Sequence, residues 1–411
     1  MFVFGDRMYI LIINFLLYFI TFIKVYKREG GLTINSGIFL FISFIALCGI
    51  LVYDTEYYLW GDYSGFGGFT RNEMSFIPLL FLYIAYLIYY GIIKRINSNE
   101  VEKIAPLKPW ALNTIYYLNI LIFIIIILAF RDSASAASLD FGEAYDDRDI
   151  LASSQLGPLG AYAMTITAGL STSQVLIPLY LLKEKGFKNY VKSIIFILIF
   201  FYASYIRGSL IASRGILFFS LVYMMFAFLF FYKMLDAKIR KIIITILLVI
   251  LVLFGIVSVA ISIGRFGEDF LLLIVGYFGE PFLNFPLIYW NYPKFLGGDY
   301  LLSSMGLTTL ETSYLEVAVY YFRTLPGTFY LDFGAIGALI FIACYSSFFK
   351  RIIGRGSSVM SMDKLLIYFY IVFGFIYGVF GFSAYGWSGY VILILNYYVF
   401  KLGTIRTDLE N

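Results

Sequence analysis

The sequence predicts an all-α, polytopic membrane fold, and three observations carry that expectation. The 411 residues are 61% hydrophobic and only 14% charged, with a mean hydropathy of +0.86. A soluble domain holds about 45–50% apolar and about 25% charged residues. Apolar runs long enough to cross a hydrocarbon core of about 30 Å recur along the whole chain. Finally, lysine and arginine collect in alternate connections between those runs, as they do when topology is set by charge.

Eleven runs are expected to be helices, at 8–25, 33–53, 75–93, 110–130, 158–182, 190–206, 210–232, 241–263, 328–349, 364–382 and 385–402. The sixth and seventh nearly touch. This puts Arg207 in a tight turn and Arg214 just inside the next helix, and a seven-residue spacing on one helix would put both on one face. Two connections are long. Residues 131–157 form an acidic loop that contains "DFGEAYDDRD". Residues 264–327 contain "FLLLIVGYFGEPFLNFPLIYW" and "YLEVAVYYFRTLPG", too interrupted to span and expected as short amphipathic or re-entrant helices lying over the membrane face. No basic region precedes the first apolar run, so a cleaved signal peptide is not expected. The organisation expected is a single transmembrane domain over residues 1–411.

One set of alternate connections holds 21 of the 30 Lys and Arg residues, and the other set nine. The first side is expected to be cytoplasmic. The N-terminus and both long loops then face outward, and the C-terminus inward. The two sides also differ in kind: 15 of the 21 inner cations are lysine, whereas eight of the nine outer ones are arginine. Topology needs charge alone. Arginine adds a planar fork that grips carboxylate or phosphate through two hydrogen bonds. The outer side also carries 18 of the 26 acidic residues, so each outer arginine is a candidate either for a structural ion pair or for an anionic substrate.

The chain has no histidine, which excludes Ser-His triads, histidine relays and histidine-ligated metal. Cys48 and Cys344 lie within apolar runs and are expected as buried structural thiols. No phosphate-binding glycine loop and no CxxC pair occurs, which argues against an ATPase or a redox enzyme. The acidic run at 140–149 lacks the regular aspartate spacing of a calcium loop, and no metal or other cofactor is expected.

"IASRGILFF" with Ser213, Arg214 and Gly215, a long outer loop, and then "TFYLDFGAIGALI" with Asp332, Phe333, Gly334 and Gly337 together resemble the O-antigen and capsule polysaccharide polymerases, the Wzy-type oligosaccharide repeat-unit polymerases. The likeness of residues is limited to about 205–220 and 325–340. The resemblance implies a glycosyltransferase of the bacterial plasma membrane, acting at its outer face on oligosaccharides linked to undecaprenyl pyrophosphate. It implies membrane lipid as surroundings, no nucleic acid as partner, and leaves open a chain-length regulator.

Glycosyl transfer from a pyrophosphate needs fixed positive charge on the leaving group, an acceptor hydroxyl held in line, and a base. Arg207, Arg214, Arg265 and Arg323 are the substrate-binding candidates, by their places at the outer ends of helices or in the outer loop. Without histidine the base is expected among carboxylates, and Glu280 and Asp332 are the candidates. Asp332 also suits a structural role near a helix N-terminus. Outer aromatics such as Trp290, Tyr320 and Tyr321 are candidates to stack on sugar rings. Three other readings stay open: a transporter or flippase of lipid-linked oligosaccharide, an O-antigen ligase, or a non-catalytic assembly partner.

Overall fold

Backbone groups in a lipid-like interior must bond within their own segment, which leaves helices as the economical solution for apolar runs of this length. The computed structural model describes residues 7–53, 74–137, 158–210, 214–266, 270–290, 296–305, 307–308, 324–381 and 387–405. Its helices are α1 (Met8–Glu29), α2 (Ile34–Val52), α3 (Phe76–Ile93), α4 (Pro109–Ala137), α5 (Pro158–Lys183), α6 (Phe187–Leu210) and α7 (Arg214–Phe231). They continue with α8 (Ala237–Phe266), α9 (Phe270–Asn284), α10 (Asp299–Ser304), α11 (Leu325–Ile353), α12 (Met362–Tyr377) and α13 (Trp387–Gly403). Two short strands, β1 (Lys103–Ile104) and β2 (Val359–Met360), pair in parallel.

Among the described residues, eight helices are long and apolar enough to cross a membrane. They are α1–α4, α6, α7, α8 and α11, and the chain is a multi-pass membrane protein. The expected runs at 158–182, 364–382 and 385–402 are also helical, as α5, α12 and α13, but lie outside that set. Both α12 and α13 are short, with 16 and 17 residues. The chain divides into two compact units. Unit 1 comprises Met1–Asn97, Leu271–Arg355 and Ile371–Ala384, and unit 2 comprises Ser98–Phe270, Gly356–Tyr370 and Tyr385–Asn411.

In unit 1, α1 and α2 form a hairpin. Gly30 ends α1 in the left-handed conformation at φ 71°, and Thr33 opens α2 with a reciprocal capping box to Ser36. Helix α9 falls in the segment expected to hold short amphipathic or re-entrant helices, and its second half is interior, with Phe282 and Leu283 fully buried. Its glycines, which read as interruptions, make close packing feasible: a Cβ on Gly279 would lie 2.8 Å from Gly49 Cα on α2. Phe278 meets Phe44, and Phe282 meets Tyr18. The helix then widens into a π-turn, Phe285–Tyr289. Pro286 has no N–H to give to the carbonyl four residues back, and Trp290 N–H reaches Phe285 O at 3.0 Å instead.

Unit 2 is built on α4, α5, α6, α7 and α13. Phe123 packs on Phe196 and Phe200 across α4 and α6. Gly169 lets α5 meet α13 backbone to backbone, since a Cβ there would lie 2.5 Å from Gly389 O. Connections with the lysine excess converge at one place. Glu102 and Lys103 N–H donate to Ser358 O, and Ala105 N–H to Met360 O. Leu107 bridges Thr404, Lys183 Nζ donates to Ile104 O at 3.1 Å, and Lys185 pairs with Asp236. Connections expected on one side of the membrane thus meet one another in unit 2.

Of the cysteines, Cys48 is buried as expected, whereas Cys344 is exposed on α11.

Candidate functional site

The two sequence motifs fold into two joints, one in each unit. In unit 2 the joint lies between α6 and α7. Helix α6 runs on to Leu210, so Arg207 is helical, in the last turn, and not in a tight turn. Residues 211–213 lie outside the described set, and Arg214 is the first residue of α7. As expected, Arg214 lies just inside the next helix; the chain changes helix between the two arginines, and they do not share one helical face. Polar bonding holds the two helices together below the joint: Ser220 Oγ donates to Ser204 Oγ at 3.0 Å, with both residues buried.

Arg207 stands one turn beyond Ser204. Its side chain is half-buried, and its Nε is shielded without a hydrogen-bond partner. A guanidinium in that state carries an unmet donor in a low-polarity setting, where desolvation without pairing is expensive. Arg265 lies in the last turn of α8, but the side chains of Arg214 and Arg265 are outside the described set, as is Arg323 altogether.

In unit 1 the joint is Asp332-Phe333-Gly334. Helix α11 opens at Thr324, whose hydroxyl accepts from Gly327 N–H at 3.0 Å. It breaks at Gly334, which takes φ 69° and ψ 179°, a conformation suited to glycine. Asp332 lies in the turn before the break and is buried. Its Oδ1 accepts from Tyr300 N–H at 3.1 Å and its Oδ2 from Leu301 N–H at 2.9 Å. These are donors of the first turn of α10, which helix geometry leaves unpaired. Leu331 and Asp332 carbonyls accept from Leu296 and Gly297 N–H at 2.9 and 3.0 Å. Asp332 is thus a cap for α10, not for its own helix, and fixes the turn at 296–301. Gly337 leaves room for Phe333: a Cβ there would sit 2.7 Å from Phe333 Cβ.

Glu280 lies on α9, half-buried, just before Pro281. The Trp290 ring is already stacked on Tyr330, at 4.9 Å and 15°, and packs with Phe81 and Phe285. The half-buried ring thus has one face taken by Tyr330 and is held within an aromatic cluster of unit 1. Tyr320, Tyr321 and the acidic run at 140–149 lie outside the described residues. Sequence reasoning missed the capping of α10, because its donors stand some thirty residues before the carboxylate. The Gly297-Gly298 pair before Asp299 was the available signal.

Arg207, Arg214 and Arg265 belong to unit 2, and Glu280 and Asp332 to unit 1. The Arg207 Nε has no hydrogen-bond partner, whereas the Asp332 carboxylate accepts from backbone donors. Set against protein-family models, curated proteins and solved structures, the chain matches none.

Proposed function

We propose that this protein polymerises undecaprenyl-pyrophosphate-linked oligosaccharide repeat units at the outer face of a bacterial plasma membrane. The observation that carries the reading is Arg207: a half-buried guanidinium whose Nε has no partner, in the last turn of α6, on the side of the lysine-poor connections. A lipid pyrophosphate brings negative charge to headgroup depth, and the Arg207 fork suits it. The sequence resemblance around Arg214 and Asp332 supports the same reading, with eleven spans, an outer N-terminus and the loop 264–327 outside.

In the reaction, the bond between the anomeric carbon of the growing chain and its phosphate oxygen breaks. The electron pair leaves with the lipid pyrophosphate, where Arg207 and Arg214, with Arg265 and Arg323 as further contacts, stabilise it. The acceptor hydroxyl of a new lipid-linked unit bonds to that carbon and gives its proton to a carboxylate. Glu280 and Asp332 are the carboxylate candidates for this base role; Asp332, whose two oxygens accept N–H bonds, also positions the turn at 296–301.

The test is purified protein with lipid-linked repeat unit. A ladder of lengthened chains with release of lipid pyrophosphate is expected. Transfer of substrate across the bilayer with unchanged length would replace this reading by the transporter or flippase. Transfer only to a lipid A-type acceptor would replace it by the ligase.

A further inference from the structure

Unit 2 contains a second polar locus, remote in sequence from the arginines, where α4, α5 and α13 pack together. On α4, Asn119 Nδ2 donates to Ile115 O at 2.9 Å and approaches Ser173 Oγ of α5 at 3.4 Å. Ser173 Oγ itself donates to Leu170 O at 2.8 Å. Three side chains keep unmet polar atoms: Asn119 its Oδ1, Thr172 its Oγ1, and Asn396 both its Oδ1 and its Nδ2. Asn119 and Thr172 are 0% exposed and Asn396 is 2% exposed.

By the helical period, Gly169, Thr172 and Ser173 share one face of α5, and Gly389, Ile392 and Asn396 share one face of α13. Gly169 of α5 touches Gly389 and Ile392 of α13. Gln174 Nε2 is also unmet, but it lies on another side of α5.

The chemistry of the unmet atoms selects the guest. The Asn119 and Asn396 oxygens only accept, the Asn396 nitrogen only donates, and the Thr172 hydroxyl does both. An unprotonated anion offers no donors, and none of these side chains is a cation that would balance the charge of any anion. A bare cation would leave the Asn396 nitrogen unmet, and none of these three side chains is a carboxylate that would balance its charge. A small neutral molecule that donates and accepts meets every atom, and buried water makes about three such bonds. We propose that α4, α5 and α13 enclose an ordered water cluster bridging Asn119, Thr172 and Asn396. This inference is independent of the proposed polymerase activity.

The test is radiolytic hydroxyl-radical footprinting of the full-length protein in lipid nanodiscs, read by mass spectrometry. Radicals born from enclosed water oxidise the side chains beside it. Leu170 and Leu393, buried near the cluster, should oxidise about ten-fold faster than the buried Leu365 and Leu366 of α12. The double variant Asn119→Leu/Asn396→Leu should bring them down to the α12 rate. Should it fail to accumulate, Thr172→Val keeps the shape and should lower the same rates about two-fold. Equal rates in the parent, or parent rates retained in the variants, would overturn the proposal. So would rates that change when choline replaces sodium and potassium, which would make the guest a cation.

Discussion

Asp332 in unit 1 and Arg207 in unit 2 are both ionisable residues set in apolar helices, yet the chain treats them differently. Asp332 receives two backbone N–H donors from α10 and also offers its carbonyl to Gly297. Arg207 has an Nε without a partner. A buried charge that the fold itself completes belongs to the architecture. A half-buried charge that the fold leaves incomplete is available to something else. The difference converts a sequence-level tie between two motif residues into two roles that separate experimentally.

The largest expected effect is at the incomplete charge. Arg207→Lys keeps the charge and loses the fork, and losing a charge-assisted bond of roughly 1.5–3 kcal/mol should lower polymer formation about 10- to 100-fold. Protein in the membrane should stay at parent levels. Parent activity in Arg207→Lys would make this residue a packing cation and dissolve the contrast.

Next comes the completed charge. Asp332→Ala strands two N–H groups of α10 and should cost about 1–3 kcal/mol of stability, read as a lowered melting temperature or denaturant midpoint. Asp332→Asn retains an acceptor and should lie between. If the Asn variant melts like the parent but polymerises about 100-fold more slowly, Asp332 is the base and not a cap.

A smaller loss is expected beside it. Gly334→Ala places a Cβ at φ 69° and should cost about 1–2 kcal/mol. An unchanged melting temperature would show that the break in α11 is not needed to hold Asp332. The smallest effect belongs to the α6–α7 pair. Ser220→Ala removes its bond to Ser204 and should cost about 0.5–1.5 kcal/mol, with polymer chemistry preserved once the protein is folded. A drop in activity larger than the drop in stability would mean that this bond positions Arg207.

Helix existence was legible throughout, because an apolar run of about twenty residues has few other solutions. Helix ends and roles were less so. Arg207 read as a turn residue because the apolar runs 190–206 and 210–232 nearly abut there, whereas α6 continues to Leu210. The run around Gly276, Gly279 and Pro281 read as broken, since a glycine that opens a gap for a neighbouring backbone looks the same in sequence as one that ends a helix. Gly279 has meaning only beside Gly49. The role of Asp332 was illegible because its partners are amides, which every residue but proline carries, and only the folded path selects those of Tyr300 and Leu301.

The pairing of β1 with β2 joins segments more than half the chain apart, and α5 finds its glycine contact only in α13, the last helix described. Neither unit is continuous in sequence. During synthesis, therefore, the early helices enter the membrane before the segments that complete them exist. Asn119 and Thr172 must wait beside lipid or translocation machinery until Asn396 and its helix emerge. Assembly of this protein is a post-insertional event, governed by the arrival of its C-terminal helices. Truncation near the C-terminus should leave inserted but unassembled chains, exposed to membrane proteolysis, rather than a shorter folded protein.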